Sequence, residues 1–379
     1  MLAGAFLFNL GQGVLRPTLP LYLQQVFSAN YGMVTSIPTV FGIGKWVGSL
    51  PTGYLLDRLG RPMMTTGLLL IAFSDIASAV TSAYGVFLGF RALAGVGWAM
   101  FATVATTTMV NHPAERRGRA VGLLLMSETV GLLLGSAAGG WLYQAVGVGS
   151  PFVFEAACML VAAAAMARWA RPDAPATTPS RPRDWRILAA VLRTPGVLLM
   201  GLTSAVLIAV QTGVLVFLFP LHLVNRAGLG PETVGVVVSL NVGGRLLALW
   251  LGGGVSDRRG RMRVLIPGLL TYAALLGSVT FLRHPLMLGV WSLAIGGAAG
   301  FVAALPAALI GDQVPSPLHG PAIGWLRTMT DSGQILGPLV MGGLADVVDL
   351  SSPFLLGAGL LTATAWQCRR HARATAASS

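Results

Sequence analysis

Apolar runs of helix length alternate with short polar gaps along the whole chain. They fall at 2–26, 33–56, 63–81, 85–110, 118–146, 151–170, 196–224, 233–255, 262–282, 286–310, 322–348 and 353–365. Most approach or exceed the roughly 20 residues that carry a helix across the hydrocarbon of a bilayer. An open sheet cannot cross lipid, because its edge groups would lack hydrogen bonds. A membrane barrel would show alternating segments of about ten residues instead. The pattern therefore predicts an all-α polytopic membrane protein with twelve transmembrane helices. The run that begins at Leu2 continues well past signal-peptide length and has no basic segment before it, so it reads as the first membrane helix. Its abrupt start suggests that a few residues are missing upstream.

The longest polar stretch, 171–195, has the Pro-, Thr- and Arg-rich composition of a linker. Inside it, Trp185, Ile187, Leu188, Val191 and Leu192 alternate with arginines, as in a short segment lying on the membrane surface. The linker divides the runs six and six. The expected organisation is an N-terminal bundle at 1–170, a linker at 171–195, and a C-terminal bundle with a short tail at 196–379.

The two halves repeat. At an offset of 200, Gly13-Val14-Leu15 falls on Gly213-Val214-Leu215, Pro20-Leu21 on Pro220-Leu221, Asp57-Arg58 on Asp257-Arg258, and Gly60-Arg61 on Gly260-Arg261. At 202, Gly118, Gly122 and Gly135 fall on Gly320, Gly324 and Gly337. A nearly constant offset across five helices predicts two homologous six-helix bundles.

Composition narrows the class. Of 379 residues, 54% are hydrophobic and 10% charged, against about 25% charged in soluble domains. Soluble enzymes, nucleic-acid binders and disordered chains are excluded. The net charge of +12 comes almost wholly from arginine, with Lys45 the single lysine. The gaps after runs 2, 4, 6, 8 and 10 and the C-terminus, counted with up to three residues at the flanking run ends, hold 18 arginines; the opposite gaps hold Arg226 and Arg283. By the positive-inside rule both termini and the linker face the cytoplasm, in the inner (plasma) membrane. Cys158 and Cys368 each lie in or beside an apolar run and read as buried free thiols.

Gly53-Tyr-Leu-Leu-Asp57-Arg58-Leu-Gly60-Arg61 links runs 2 and 3, and Gly253-Gly-Val-Ser-Asp257-Arg258-Arg-Gly260-Arg261 repeats it between runs 8 and 9. Gly53 permits close helix contact, Gly60 a tight turn, and Asp57 a pair with Arg61 or a helix N-terminus. This loop in both halves resembles the signature of the major facilitator superfamily, and the resemblance covers essentially the whole chain. It implies the major facilitator fold and a cytoplasmic gate latch formed by Gly53, Asp57, Arg58, Gly60 and Arg61 with Asp257, Arg258 and Arg261. Arg91, in Phe90-Arg91-Ala-Leu-Ala-Gly95-Val-Gly97, is similar to the family's helix-4 motif, which implies a part in proton coupling; Trp291 stands at its place in the second half. Gly131-x-x-x-Gly135-Ser136-x-x-Gly139-Gly140 in run 5 resembles the glycine motif of antiporter members, with Ser136 where the family has proline. Packing through small residues is the other reading of that motif.

No phosphate-cradling Gly-x-x-x-x-Gly-Lys loop exists, so ion gradients must supply the energy. No cofactor and no metal site are expected. Proton coupling needs a titratable group inside the bundle. The acids there are Asp75, Glu128, Glu155 and Asp331. Asp331 stands one helical turn after Arg327, as in an ion pair. Glu155 is near the outer end of run 6, where it would reach water. The family's arrangement of helices 4 and 5 would let Glu128 meet Arg91. Glu128 is the favoured carrier, with Arg91, Asp75 and Asp331 as the other coupling residues. In this family helices 1, 4, 7 and 10 line the cavity, which implies a substrate site including Asn9, Gln12, Arg16, Gln211 and His222. The resulting expectation is a monomeric secondary transporter, working by alternating access with protons, lipids and a small-molecule substrate as partners. It would export lipophilic compounds by proton antiport. The alternatives are proton-coupled transport of a small organic anion, suggested by Arg16, Arg91, Arg245 and Arg327, and lipid translocation.

Overall fold

The computed structural model describes residues 2–59, 62–110, 114–169, 195–314 and 319–378. Within them run twelve helices, or helices continued after a local break: α1 (Leu2–Phe27), α2 (Tyr31–Leu59), α3 (Pro62–Val80), α4 (Tyr84–Val110), α5 (Ala114–Ala145), α6 (Ser150–Trp169), α7 (Pro195–Asn225), α8 (Pro231–Arg259), α9 (Arg261–Ser278), α10 (Pro285–Ala303 with Leu305–Gln313), α11 (His319–Val347) and α12 (Ser352–Ser378). Each apolar run has become one helix. Seven of these helices are long and apolar enough by themselves to cross a membrane. The expected linker lies outside the described residues. α12 extends well beyond the last apolar run, through Arg369, Arg370 and Arg373, because alanine and arginine both favour helix.

Two helices are irregular for identifiable reasons. In α7 the segment Val210–Leu218 is π-helical, and the Phe219 N–H donates to the carbonyl of Val214. Pro220 follows, and its missing N–H removes an ordinary helical bond. α10 is interrupted at Ala304 just before Pro306.

By internal contacts the chain divides into two units, Met1–Pro179 with Leu223–Ser239, and Ser180–His222 with Leu240–Ser379. The sequence reading places Leu223–Ser239 with the second bundle; by contact this segment groups with the first.

Glycine sets how closely the helices pack. A Cβ on Gly131, Gly135 or Gly139 of α5 would strike the carbonyl oxygens of Phe6, Leu10 and Val14 on α1, at a spacing of four residues on both helices. The glycine motif of α5 thus forms a backbone-to-backbone seam, which accounts for it by packing. In the second unit, a Cβ on Gly333 of α11 would strike the Ala205 carbonyl of α7 and one on Gly337 would strike Cβ and Cα of Ala209, and Gly244 and Gly296 join α8 to α10. No side chain can enter such a seam without separating the helices, since interiors have no spare volume. Gly135→Val is expected to reduce folded protein severely. Gly89→Ala, where an added Cβ meets nothing within 4 Å, should leave it unchanged. Fluorescence-detected size-exclusion chromatography of the two variants checks both.

Candidate functional site

The α3–α4 seam brings charge together inside the first unit. Gly67 and Gly97 face each other so closely that a Cβ on either would lie 2.7 or 2.6 Å from the other's carbonyl oxygen. Two turns beyond Gly67, Asp75 meets Arg91. Arg91 Nη2 donates to Asp75 Oδ1 at 2.6 Å and to Ser78 Oγ at 2.9 Å. Asp75 is wholly buried and Arg91 is 4% exposed. The guanidinium also lies over the rings of Phe87 and Phe152, 5.6 and 5.4 Å from their centroids, a contact that strengthens when water is excluded.

Glu155 of α6 adds a second carboxylate. It is wholly buried, and Gln12 Nε2 of α1 donates to its Oε1 at 2.6 Å. Gly11 makes this approach possible, since a Cβ there would sit 3.1 Å from Cγ of Glu155 and 3.2 Å from its Cα. Glu155 lies within the electrostatic reach of both Asp75 and Arg91. An aromatic group closes over the cluster. Tyr22 packs 4.8 Å from Phe152 and 6.0 Å from Phe87, Phe27 packs 5.3 Å from Phe87, and the Tyr22 hydroxyl donates to the carbonyl of Ser78. Asp75 Oδ2, Arg91 Nε and Glu155 Oε2 are buried with no hydrogen-bond partner among the described residues. The cluster thus holds two carboxylates and one guanidinium; the guanidinium is bonded to Asp75, and each carboxylate retains an unused oxygen.

The internal repeat reveals what the fold itself requires here. At an offset of 200, Asp75, Ser78 and Arg91 fall on Leu275, Ser278 and Trp291; Gln12 falls on Thr212; at 202, Phe152 falls on Phe354 and Glu155 on Gly357. The second unit builds the same junction without charge. Trp291 Nε1 donates to the Leu275 carbonyl at 2.7 Å and to Ser278 Oγ at 3.2 Å, and His222, at the place of Tyr22, packs 5.2 Å from Phe354. A neutral indole closes the seam as well as a guanidinium does. The charges of the first unit are therefore not needed to join these helices, and an intramembrane charge without a packing requirement marks a functional position.

The structure sorts the residues expected from sequence. Asp75 and Arg91 are brought together. The expected meeting of Glu128 with Arg91 does not occur: α5 packs on α1 through its glycines, α4 packs on α2 and α3, and Glu128 is only half-buried. Glu155, expected to reach water, is instead enclosed: α6 packs against α1 and α3, and Phe152, three residues before it, packs on Tyr22 and Phe87. Asp331 is half-buried on α11 and has no part in the cluster. Of the cavity candidates, Gln12 belongs to the cluster; Asn9 donates to the carbonyl of Ala5 in its own helix; Arg16 is half-buried on α1; Gln211 and His222 are buried in α7. Among the latch residues, Gly60 and Arg61, the surroundings of Gly53, and the side chains of Asp57, Arg58, Asp257 and Arg258 lie outside the described residues. Gly260 has φ +87°, which favours glycine, and starts α9. Arg261 donates to the Ala308 carbonyl at 2.5 Å and pairs with Asp312 at 2.8 Å. Cys158 and Cys368 are buried thiols.

Sequence reasoning missed Ser78 and the Gln12–Glu155 bond. The repeat held the signal: Asp75, Arg91 and Glu155 all become uncharged in the second half, which singles them out as a set.

A multi-pass helical bundle with charges enclosed between apolar helices has the make-up of a membrane transport protein, not an enzyme. The sequence profile of the Major Facilitator Superfamily matches residues 1–240 and 201–374, and the chain belongs to that superfamily. It is 26% identical over a 390-residue alignment to the multidrug resistance protein MdtG of Citrobacter koseri, covering 99% of this chain and 95% of that protein. Against the protein of the same name from Escherichia coli strain SMS-3-5 the identity is 25%, over 98% of this chain and 93% of the relative. The fold matches the crystal structure of the nucleoside transporter NupG with a TM-score of 0.79 at 14% identity, covering 97% of this chain and 97% of that one. It also matches a bacterial homologue of the human lysosomal transporter Spinster, with a TM-score of 0.76 at 15% identity over 96% and 92% of the two chains.

Proposed function

We propose that this transporter exports small lipophilic compounds in exchange for protons, and that Glu155 carries the proton beside the Asp75–Arg91 pair. The observation that carries this reading is the charge balance of the enclosed cluster: two carboxylates and one guanidinium. A net charge held in a low-dielectric interior is costly, and a proton on one carboxylate removes it. Arg91 is committed to Asp75, so Glu155, held by the neutral amide of Gln12, is the carboxylate without a cation of its own. The near full-length similarity to proteins named for multidrug resistance supports a lipophilic substrate and the export direction. The arginine-rich gaps support an inner-membrane placement with both termini in the cytoplasm. Alternating access would rock two bundles, 1–170 and 196–379, around a midplane site contributed in part by Asn9, Arg16, Gln211 and His222. Arg261, tied to Ala308 and Asp312, supports a cytoplasmic latch at the α8–α9 turn, with Asp57, Arg58 and Arg61 as the matching residues of the first half.

Proteoliposomes with an imposed proton gradient and a pH-sensitive dye test the reading. Lipophilic cations and neutral drugs are expected to discharge the gradient. Discharge by small organic acids alone would replace export of lipophiles with anion transport.

A further inference from the structure

We propose that a groove between α8, α9 and α10 holds one anionic phospholipid of the leaflet faced by the α8–α9 turn. The groove lies wholly within the second unit and has a volume of about 1250 Å³. The first unit is shut at the corresponding place. There Gly67 and Gly97 press together. In the second unit Pro267 stands at the position of Gly67, and a Cβ on Gly297, the counterpart of Gly97, would meet nothing nearer than the Gly244 carbonyl oxygen at 3.7 Å. A proline ring cannot enter the tight contact that two glycines make, and the space in front of Gly297 stays open.

The groove's chemistry selects its occupant. Apart from Thr271 and Arg263 its walls are aliphatic or aromatic, with Leu247, Leu293 and Phe301 around a floor of Gly244 and Gly297. Leu247 and Leu293 are exposed, as suits contact with an acyl chain. From Val264 to Leu275 along α9 the groove runs about 16 Å at about 1.5 Å per residue. That equals one leaflet's share, about 15 Å, of the hydrocarbon core. Arg263 is the charged residue of the lining, and it stands at the end where the headgroup would lie. Arg261, two residues before it, is taken by Asp312 and Ala308. Arg263 is exposed, with no carboxylate partner among the described residues. An apolar trough of leaflet depth that ends at an uncompensated guanidinium is complementary to a lipid with a net negative headgroup. Under the topology proposed above, that lipid belongs to the cytoplasmic leaflet.

Native mass spectrometry of the purified full chain, titrated with phosphatidylglycerol or phosphatidylethanolamine, tests the assignment. One phosphatidylglycerol per chain is expected to be retained, in preference to phosphatidylethanolamine. Arg263→Gln should keep lipid binding but lower that preference by about fivefold, the effect of one arginine at a membrane surface. Gly297→Leu should remove the bound lipid whatever its headgroup. Ala294→Phe fills the groove from its exposed wall and should do the same, which guards against a folding defect in the glycine variant. Equal retention of both lipids by the wild type, or phosphatidylglycerol binding that survives both filling variants, would overturn the proposal. So would stoichiometric displacement of the lipid by a transported lipophile, which would make the groove a substrate path.

Discussion

Glu155→Gln is expected to reduce substrate-driven proton movement to the level of protein-free liposomes, while the protein folds and still binds lipophilic compounds. The amide is nearly isosteric with the carboxyl and can still accept the hydrogen bond from Gln12 Nε2. It also removes a charge from a wholly buried site, so stability should hold or rise. What it removes is the ability to take up and release a proton, without which exchange has no driving ion. Dye-reported proton flux in proteoliposomes, measured beside equilibrium binding of a fluorescent lipophile, separates the two effects. Glu128→Gln, on a half-buried residue outside the cluster, should keep most of the flux. Full flux in Glu155→Gln with loss in Glu128→Gln would return the proton to α5 and sink the assignment.

The second large effect is expected at Arg91. Arg91→Ala leaves the Asp75 carboxyl wholly buried and without its cation. Removing one partner of a buried ion pair costs about 3–5 kcal/mol, so little folded protein should be recovered. The second unit supplies the remedy. Arg91→Trp combined with Asp75→Leu installs the pair found at 291 and 275, where the indole N–H bonds the Leu275 carbonyl and Ser278 Oγ. The double variant should recover stability to within about 1 kcal/mol of wild type, a strongly non-additive outcome for neighbouring residues. It should not couple transport to protons. Thermal unfolding in detergent reads the first effect and proteoliposome flux the second. Proton-coupled transport by the double variant would reduce the Asp75–Arg91 pair to a packing element.

Much of the architecture is written in the order of residues. Twelve apolar runs become twelve helices because lipid leaves a helix no other way to satisfy its backbone groups. The repeat at offsets of 200 and 202 reappears in space, where Arg91 and Trp291 bridge equivalent helices by equivalent bonds. The glycines of run 5 announce close packing, and they pack against α1.

The site is legible only in part. Asp75 and Arg91 are visible as charges in apolar runs, since a membrane interior tolerates few of them. Their pairing is not, because a single sequence does not say which helix faces which. That gap points to Glu128 as the partner of Arg91, where the folded chain supplies Asp75. Glu155 shows the same limit. Its place near a helix end implies contact with water, and depth along a helix is all that sequence position conveys. Enclosure depends on Tyr22, Phe27, Phe87 and Phe152, which come from α1, α4 and α6 and meet only once the helices are packed. Local hydrophobicity and repetition along the chain are thus enough to set the membrane-spanning helices, their duplication and the identity of the charges among them. Which of those charges meet, and which are sealed from water, emerges only on packing. Both depend on helix neighbours and helix rotation, and those are settled by contacts between residues far apart in the chain.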